Sequence, residues 1–202
     1  DSNHSLPFLN DTEISEAREI NERVAQALFD HTGEPYRGIL YGGFMATANG
    51  VKLIEYNARF GDPEAMNLLA LLRTDLVSIC NDIVEGNLTS VNFSNYASVC
   101  KYVVPKGYGS NPAKDATLII DDSYSKYSDL YYAAVNLNKD GIITTTSSRA
   151  AAIVSTGKSI KEAEEKCETG LSFVSGKNLF TRHDIGKSEL IQKRINHMES
   201  LR

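Results

Sequence analysis

The sequence has no surplus of basic residues: 21 Lys and Arg stand against 26 Asp and Glu, a net charge of −5, with both signs mixed along the chain. A general nucleic-acid binder needs a basic face, so that class is disfavoured. Long apolar runs are also lacking, since none approaches the ~20 residues of a membrane span, and no signal-peptide pattern is visible. Cysteine is scarce. Cys80, Cys100 and Cys167 are odd in number and widely spaced, which makes neither a disulfide framework nor a zinc pattern and points to a reducing cytoplasm. An initiating Met is lacking too: the chain opens on Asp1, and the expectation is that processing or a cut has removed what came before.

What is present suits one large domain or two small ones. The 202 residues are 42% hydrophobic, enough for a real core. The most informative stretch runs from Gly38 to Glu64, GILYGGFMATANGVKLIEYNARFGDPE. Ile39 to Thr47 alternates as a strand, Ala48-Asn49-Gly50 is a hairpin turn signal, and Val51 to Tyr56 returns as a second strand. Glu55 and Asn57 flank Tyr56, so their oxygen-bearing side chains leave the same face. With Arg59 and the Gly61-Asp62-Pro63-Glu64 turn beyond them, they make a site for magnesium and a phosphate, because Mg²⁺ takes one or two protein oxygens and fills its shell with water and substrate phosphates. Taken alone, a Glu-x-Asn pair at a strand end is more often simply solvated.

The longer string IEYNARFGDPE resembles the metal-binding strand and loop of the phosphoribosylamine–glycine ligases, members of the ATP-grasp superfamily. The preceding YGGFMAT resembles the same family, as do SRAAAIVSTGKSIKEAEEK and LFTRHDIG between Ser148 and Gly186. The resemblance covers nearly all of the chain in matching order and spacing. It implies an ATP-dependent ligase that activates glycine as an acyl phosphate, which 5-phosphoribosylamine attacks to give glycinamide ribonucleotide, ADP and phosphate. It implies Mg²⁺ or Mn²⁺ on Glu55 and Asn57, and a phosphate oxygen met by the planar fork of Arg59 as the catalytic cation. Asp62, Glu64 and Arg149 would contact substrate. The family's full enzymes match only in their C-terminal half, and their N-terminal half, with a lysine-bearing lid over ATP and a hinge that cradles adenine, is not found before Asp1. The chain is therefore expected to be a fragment with little turnover alone, whose partner is that half. Two alternatives stand: a non-catalytic subunit or interaction module of a split ligase, and another ATP-grasp ligase or carboxylase.

The rest of the chain reads in order. Asp1 to Asn10 is a polar loop. Asn10 and Glu13 form a capping box opening a helix with an apolar stripe at Ile14, Ala17, Ile20, Val24, Ala27 and Leu28, ended by Gly33 and Pro35. Glu16, Glu19, Glu22 and Arg23 are expected on its solvated face, and His31 near the helix C-terminus suits the dipole. MNLLALL reads as a short buried helix. Thr74 is expected to cap a further helix with Leu76, Val77, Ile79, Cys80, Ile83 and Val84 buried and Gly86 as its stop. Polar Asn87 to Tyr96 is the best internal boundary.

Beyond it, SVCKYVV, ATLIID, DLYYAAVNL, GIITTT and RAAAIVST read as strands. Lys106 sits in a turn-rich PKGYGSNP loop, and Lys139-Asp140-Gly141 is a hairpin signal. Tyr131 and Tyr132 fall on opposite faces, so at most one is core. Gly157-Lys158-Ser159 is not the end of a phosphate-binding loop, because the required earlier glycine is Ala152. Ser159 with Glu162 opens a helix instead, with Ile160, Ala163, Cys167, Leu171 and Val174 as its stripe. Asn178 to Gly186, with His183 and Asp184, is a loop, and Leu190 to Leu201 a closing helix.

The expected fold is α+β. Residues 1–96 would be the second half of an ATP-grasp domain, an antiparallel sheet with helices. Residues 97–186 would be a small mixed β-rich domain, and 187–202 a helical tail.

Overall fold

The computed structural model describes residues 6–202. The first half of the expected N-terminal loop lies outside the described residues, and 6–10 follow without regular structure. Helices and antiparallel strands make up the molecule, and every strand pairing among the described residues is antiparallel. No helix among them is long and apolar enough to cross a membrane. The chain divides into two compact units: residues up to Ala65 with Leu72–Ser94 and Ile191–Arg202, and Met66–Leu71 with Asn95–Leu190.

The first unit contains α1 (Asp11–Thr32), a hairpin of β1 (Tyr41–Thr47) and β2 (Gly50–Asn57), α3 (Leu76–Glu85) and most of α5 (Ser188–Leu201). Both halves of the capping box on α1 are made, at 2.9 Å each, and the helix ends on Gly33 in the left-handed conformation. Its stripe is half-buried against the hairpin and Ala27 stays exposed. Glu16 departs from its expected solvated role, since its Oε2 accepts the Val51 amide hydrogen at 2.8 Å and so docks α1 onto the start of β2. The cap of α3 is Asp75 rather than Thr74. Asp75 Oδ1 accepts from the Ser78 amide at 2.8 Å, while the Thr74 hydroxyl accepts from the Asn92 amide. The apolar stripe of α3 is expected to be buried, yet only Ile79 is; Val77 and Val84 are 67% and 69% exposed, and Cys80 is exposed rather than core. Periodicity gives a helix its apolar face but does not supply what covers it.

The second unit holds most of the core. A sheet ordered β10-β3-β8-β5 is built from β3 (Ala97–Pro105), β5 (Asp129–Tyr132), β8 (Ala151–Gly157) and β10 (Leu179–Thr181). A second, β6-β7-β4-β9, uses β4 (Thr117–Ile120), β6 (Val135–Leu137), β7 (Ile143–Thr145) and β9 (Val174–Ser175). The expected single strand DLYYAAVNL is thus two strands in different sheets, and both Tyr131 and Tyr132 are exposed. The loop expected from Asn178 contains β10, and Val174, expected on the helix stripe, lies in β9.

One face of β3 and β8 packs on α4 (Ile160–Leu171) through Val99, Val103, Ile153, Ala163, Cys167 and Leu171. The other face carries Cys100, Ala152 and Val154, with Met66 and Ala70 of α2 (Glu64–Leu71) against them. That helix is less buried than its sequence suggests, with Leu71 inside but Leu68 and Leu69 about two-fifths exposed. Ser159 caps α4 as expected, its hydroxyl accepting from the Glu162 amide at 3.2 Å.

A charge breaks this apolar core. Lys101, at the middle of β3, is 0% exposed, and its Nζ donates to Glu164 Oε1 (2.7 Å), Glu168 Oε1 (2.5 Å) and the His183 carbonyl (3.0 Å). All three hydrogens of the ammonium are used, the condition under which a buried charge is tolerated. Burial pushes the Glu164 and Glu168 carboxyls up, but bonds to Lys101, to Lys187 and to His183 outweigh it and leave both below the usual carboxylate range.

Candidate functional site

Carboxylate and amide meet at the end of β2. Asn57 donates its Nδ2 hydrogen to Glu55 Oε1 at 3.1 Å, which leaves the second Glu55 oxygen and the Asn57 amide oxygen as acceptors. Glu55 is exposed and Asn57 half-buried. Among the described residues no group of three or more His, Cys, Asp or Glu side chains could hold a metal, so a metal here would lie on this pair with ligands that come with it. Two protein oxygens fit Mg²⁺, which keeps water and phosphate oxygens around itself.

A β-bulge sets this end of the hairpin. From the turn, Thr47 pairs Gly50 and Phe44 pairs Leu53; then the register shifts, and Gly43 pairs Glu55, Gly42 pairs Tyr56 and Tyr41 pairs Asn57. Without the shift Tyr41 would face Tyr56. Directly paired residues share a face, so Tyr41 and Gly43 lie with Glu55 and Asn57. On the other face Tyr56 donates its hydroxyl to Asn21 Oδ1 of α1 at 2.7 Å, anchoring the strand from behind. A bulge beside a site re-aims side chains in this way.

The Phe60–Pro63 turn closes back on this end of β2. Gly61 is buried with no room for a side chain, since a Cβ there would lie 2.5 Å from Glu64 Oε2 and 2.9 Å from the Tyr41 ring. The Tyr41 ring and the Glu64 carboxylate thus converge on one spot over Gly61. Burial first, then the neighbouring Glu64 carboxylate and the charge of Glu55, raise the Tyr41 phenol above its usual range. Glu64, half-buried, opens the first turn of α2, where the Ala65 amide donates to the Gly61 carbonyl at 2.9 Å.

The sequence therefore places Glu55, Asn57 and Glu64 in one neighbourhood of the first unit. Arg59 is exposed and donates Nη1 to the adjacent Phe60 carbonyl at 2.7 Å; Asp62 is exposed in the same turn. Arg149 belongs to the second unit, where its guanidinium lies 5.1 Å from the Tyr102 ring centroid, a cation–π distance. His183 and Asp184 do not pair with each other: His183 Nδ1 meets Glu168 at 2.9 Å and Asp184 takes a two-point contact from Arg182. The residue that sequence reasoning overlooks is Tyr41. Its signal, a fixed distance from the Asn49-Gly50 turn, is hidden by the bulge.

Known proteins resemble this chain along most of its length. Residues 2–65 match the family model described as phosphoribosylglycinamide synthetase, ATP-grasp (A) domain, and residues 98–188 match phosphoribosylglycinamide synthetase, C domain. Together these take in well over half of the chain. The phosphoribosylamine–glycine ligase of Methanothermobacter thermautotrophicus is 51% identical over all of this chain and 46% of its own length, and that of Methanocaldococcus jannaschii is 46% identical over 98% and 45%. The chain thus spans about half the length of the curated relatives it matches. Among solved structures, the phosphoribosylamine–glycine ligase of Thermotoga maritima superposes with a TM-score of 0.72 over 87% of this chain and 44% of its own, at 22% identity. The biotin carboxylase domain of the Hydrogenobacter thermophilus 2-oxoglutarate carboxylase does so with a TM-score of 0.58 over 96% and 40%, at 18% identity, a likeness of fold alone. The chain belongs to the phosphoribosylglycinamide synthetase family, that of the phosphoribosylamine–glycine ligases, within the ATP-grasp superfamily.

Proposed function

We propose that this chain supplies the metal- and phosphate-holding wall of a phosphoribosylamine–glycine ligase, which joins glycine to 5-phosphoribosylamine at the expense of ATP in purine biosynthesis, in the cytoplasm. The observation that carries the reading is the bulged end of β2, where Glu55 and Asn57 share a face and the 59–64 turn closes beside them. Glu55 and Asn57 would hold Mg²⁺ or Mn²⁺, whose positive charge would offset that of the phosphate groups in a reaction that goes by way of a glycyl phosphate. Glu55 and Asn57 would orient that charge. Arg59, reoriented from its contact with Phe60, would offer a guanidinium to a phosphate oxygen, and Asp62 and Glu64 would shape the acceptor side. Arg149 would meet a substrate carboxylate or phosphate. In domain terms, residues 1–96 form the second half of an ATP-grasp domain, 97–186 the small C domain and 187–202 its tail. The lid over ATP would come from the additional half present in the longer relatives.

The test is ADP release with ATP, Mg²⁺, glycine and phosphoribosylamine, by this chain alone and with the N-terminal half of a relative added. Glycine-dependent turnover only on mixing, lowered at least a hundredfold by Glu55→Ala, is the expected outcome (the loss of about 2.7 kcal/mol of transition-state stabilisation). Unchanged turnover in Glu55→Ala, or silence on mixing with a folded second half, would overturn the reading.

A further inference from the structure

We infer that Tyr41 is a positioning residue of the carboxylate–amide site, acting through Glu64 to hold the Phe60–Pro63 turn and the Glu64 carboxylate beside Glu55 and Asn57. The inference rests on the reading of that pair as a metal site and adds a residue to it.

Three observations converge. The bulge between Gly43 and Phe44 puts Tyr41 directly across from Asn57 rather than Tyr56, on the face of the donor pair. The Tyr41 ring covers Gly61 so closely that a Cβ would meet its Cε2 at 2.9 Å and its Cζ at 3.0 Å. The ring thus presses the turn against the end of the hairpin. Glu64 Oε2 stands 2.5 Å from the same Cβ position, so the carboxylate and the phenol end of the ring share one spot over Gly61. A phenol hydroxyl beside a carboxylate can donate to it and so fix its direction. Losing a group that orients the surroundings of a metal ligand in this way costs about ten- to a hundredfold in metal affinity.

A purely packing role for the ring makes a different prediction, because phenylalanine would serve as well. Mn²⁺ uptake at saturating ADP by this chain with the N-terminal half of a relative added, followed by water-proton relaxation, separates the two. Tyr41→Phe keeps the ring on Gly61 and removes only the hydroxyl; Glu64→Gln, at the start of α2, removes the acceptor charge and leaves the ring. Each is expected to weaken Mn²⁺ binding about tenfold, and the double variant no further than either single one, since both act through one contact. Unchanged affinity in Tyr41→Phe, or additive losses in the double variant, overturns the inference alone. Mn²⁺ uptake undiminished in Glu55→Gln, or absent from the wild type, removes the metal reading and this inference together.

Discussion

At the scale of single residues, Lys101 shows how much of a fold lies beyond local pattern. Its three acceptors lie 63, 67 and 82 residues away, so nothing around SVCKYVV marks the lysine as buried. The Asn10 and Ser159 caps, by contrast, were legible because donor and acceptor lie three residues apart. Glu16 misled for the same reason as Lys101, its partner Val51 being 35 residues on. Removing Lys101 leaves carboxylates inside with too few partners. Lys101→Met is expected to destabilise the protein by about 3 kcal/mol at pH 7, measured by urea unfolding. Glu164 and Glu168 are held below their usual range in the folded wild type, so their contribution is present above the ordinary carboxylate range and is lost as pH falls through the folded values. Without Lys101 the desolvation of both carboxyls is offset less, their folded pKa values rise, and the deficit of the variant should shrink as pH is lowered from 7 towards 5. An equal deficit at both pH values would contradict this account.

At the scale of elements, close approach decides more than propensity. Gly157 ends β8 where α4 begins its first turn, and a Cβ there would sit 2.6 Å from the Ala163 backbone nitrogen. Backbone cannot swing aside as a side-chain end can, so Gly157→Ala is expected to lower stability by about 1–3 kcal/mol, the range for overpacking. A thermal melt unchanged within a degree would refute it. The strands themselves were largely readable from alternation, and the shared face of Glu55 and Asn57 followed from period two. What alternation could not supply was the shift at Gly43, because a bulge leaves no requirement on composition and becomes visible only when both strands are paired. The coverage of α3 was equally invisible, since Val77 and Val84 have the same spacing whether or not anything packs on them.

At the scale of the whole molecule, the two units differ in how they are held. The second has strands buried on both faces at β3 and β8; the first has a two-stranded sheet, no fully buried residue in α1 and one in α3. Local opening follows burial. Amide exchange is therefore expected to be slowest at Val99–Val104 and Ala152–Val154, and faster by at least tenfold along β1, β2 and α3. Equal protection across both sets would show that burial in these units does not govern their opening.

The chain passes between its two units four times, at Ala65, Leu71, Ser94 and Leu190. Order of synthesis therefore matters. When Leu190 leaves the ribosome the second unit has all of its residues, whereas the first still lacks its last twelve, Ile191–Arg202. Among those is Arg202, which closes on Glu13 at 2.9 Å and on the Phe8 carbonyl at 3.1 Å, while Arg194 lies over the Phe8 ring. The helix α1 is thus fastened by a residue 189 positions after its partner Glu13, and the hairpin bearing Glu55 and Asn57 waits, half-assembled, until that residue has been made.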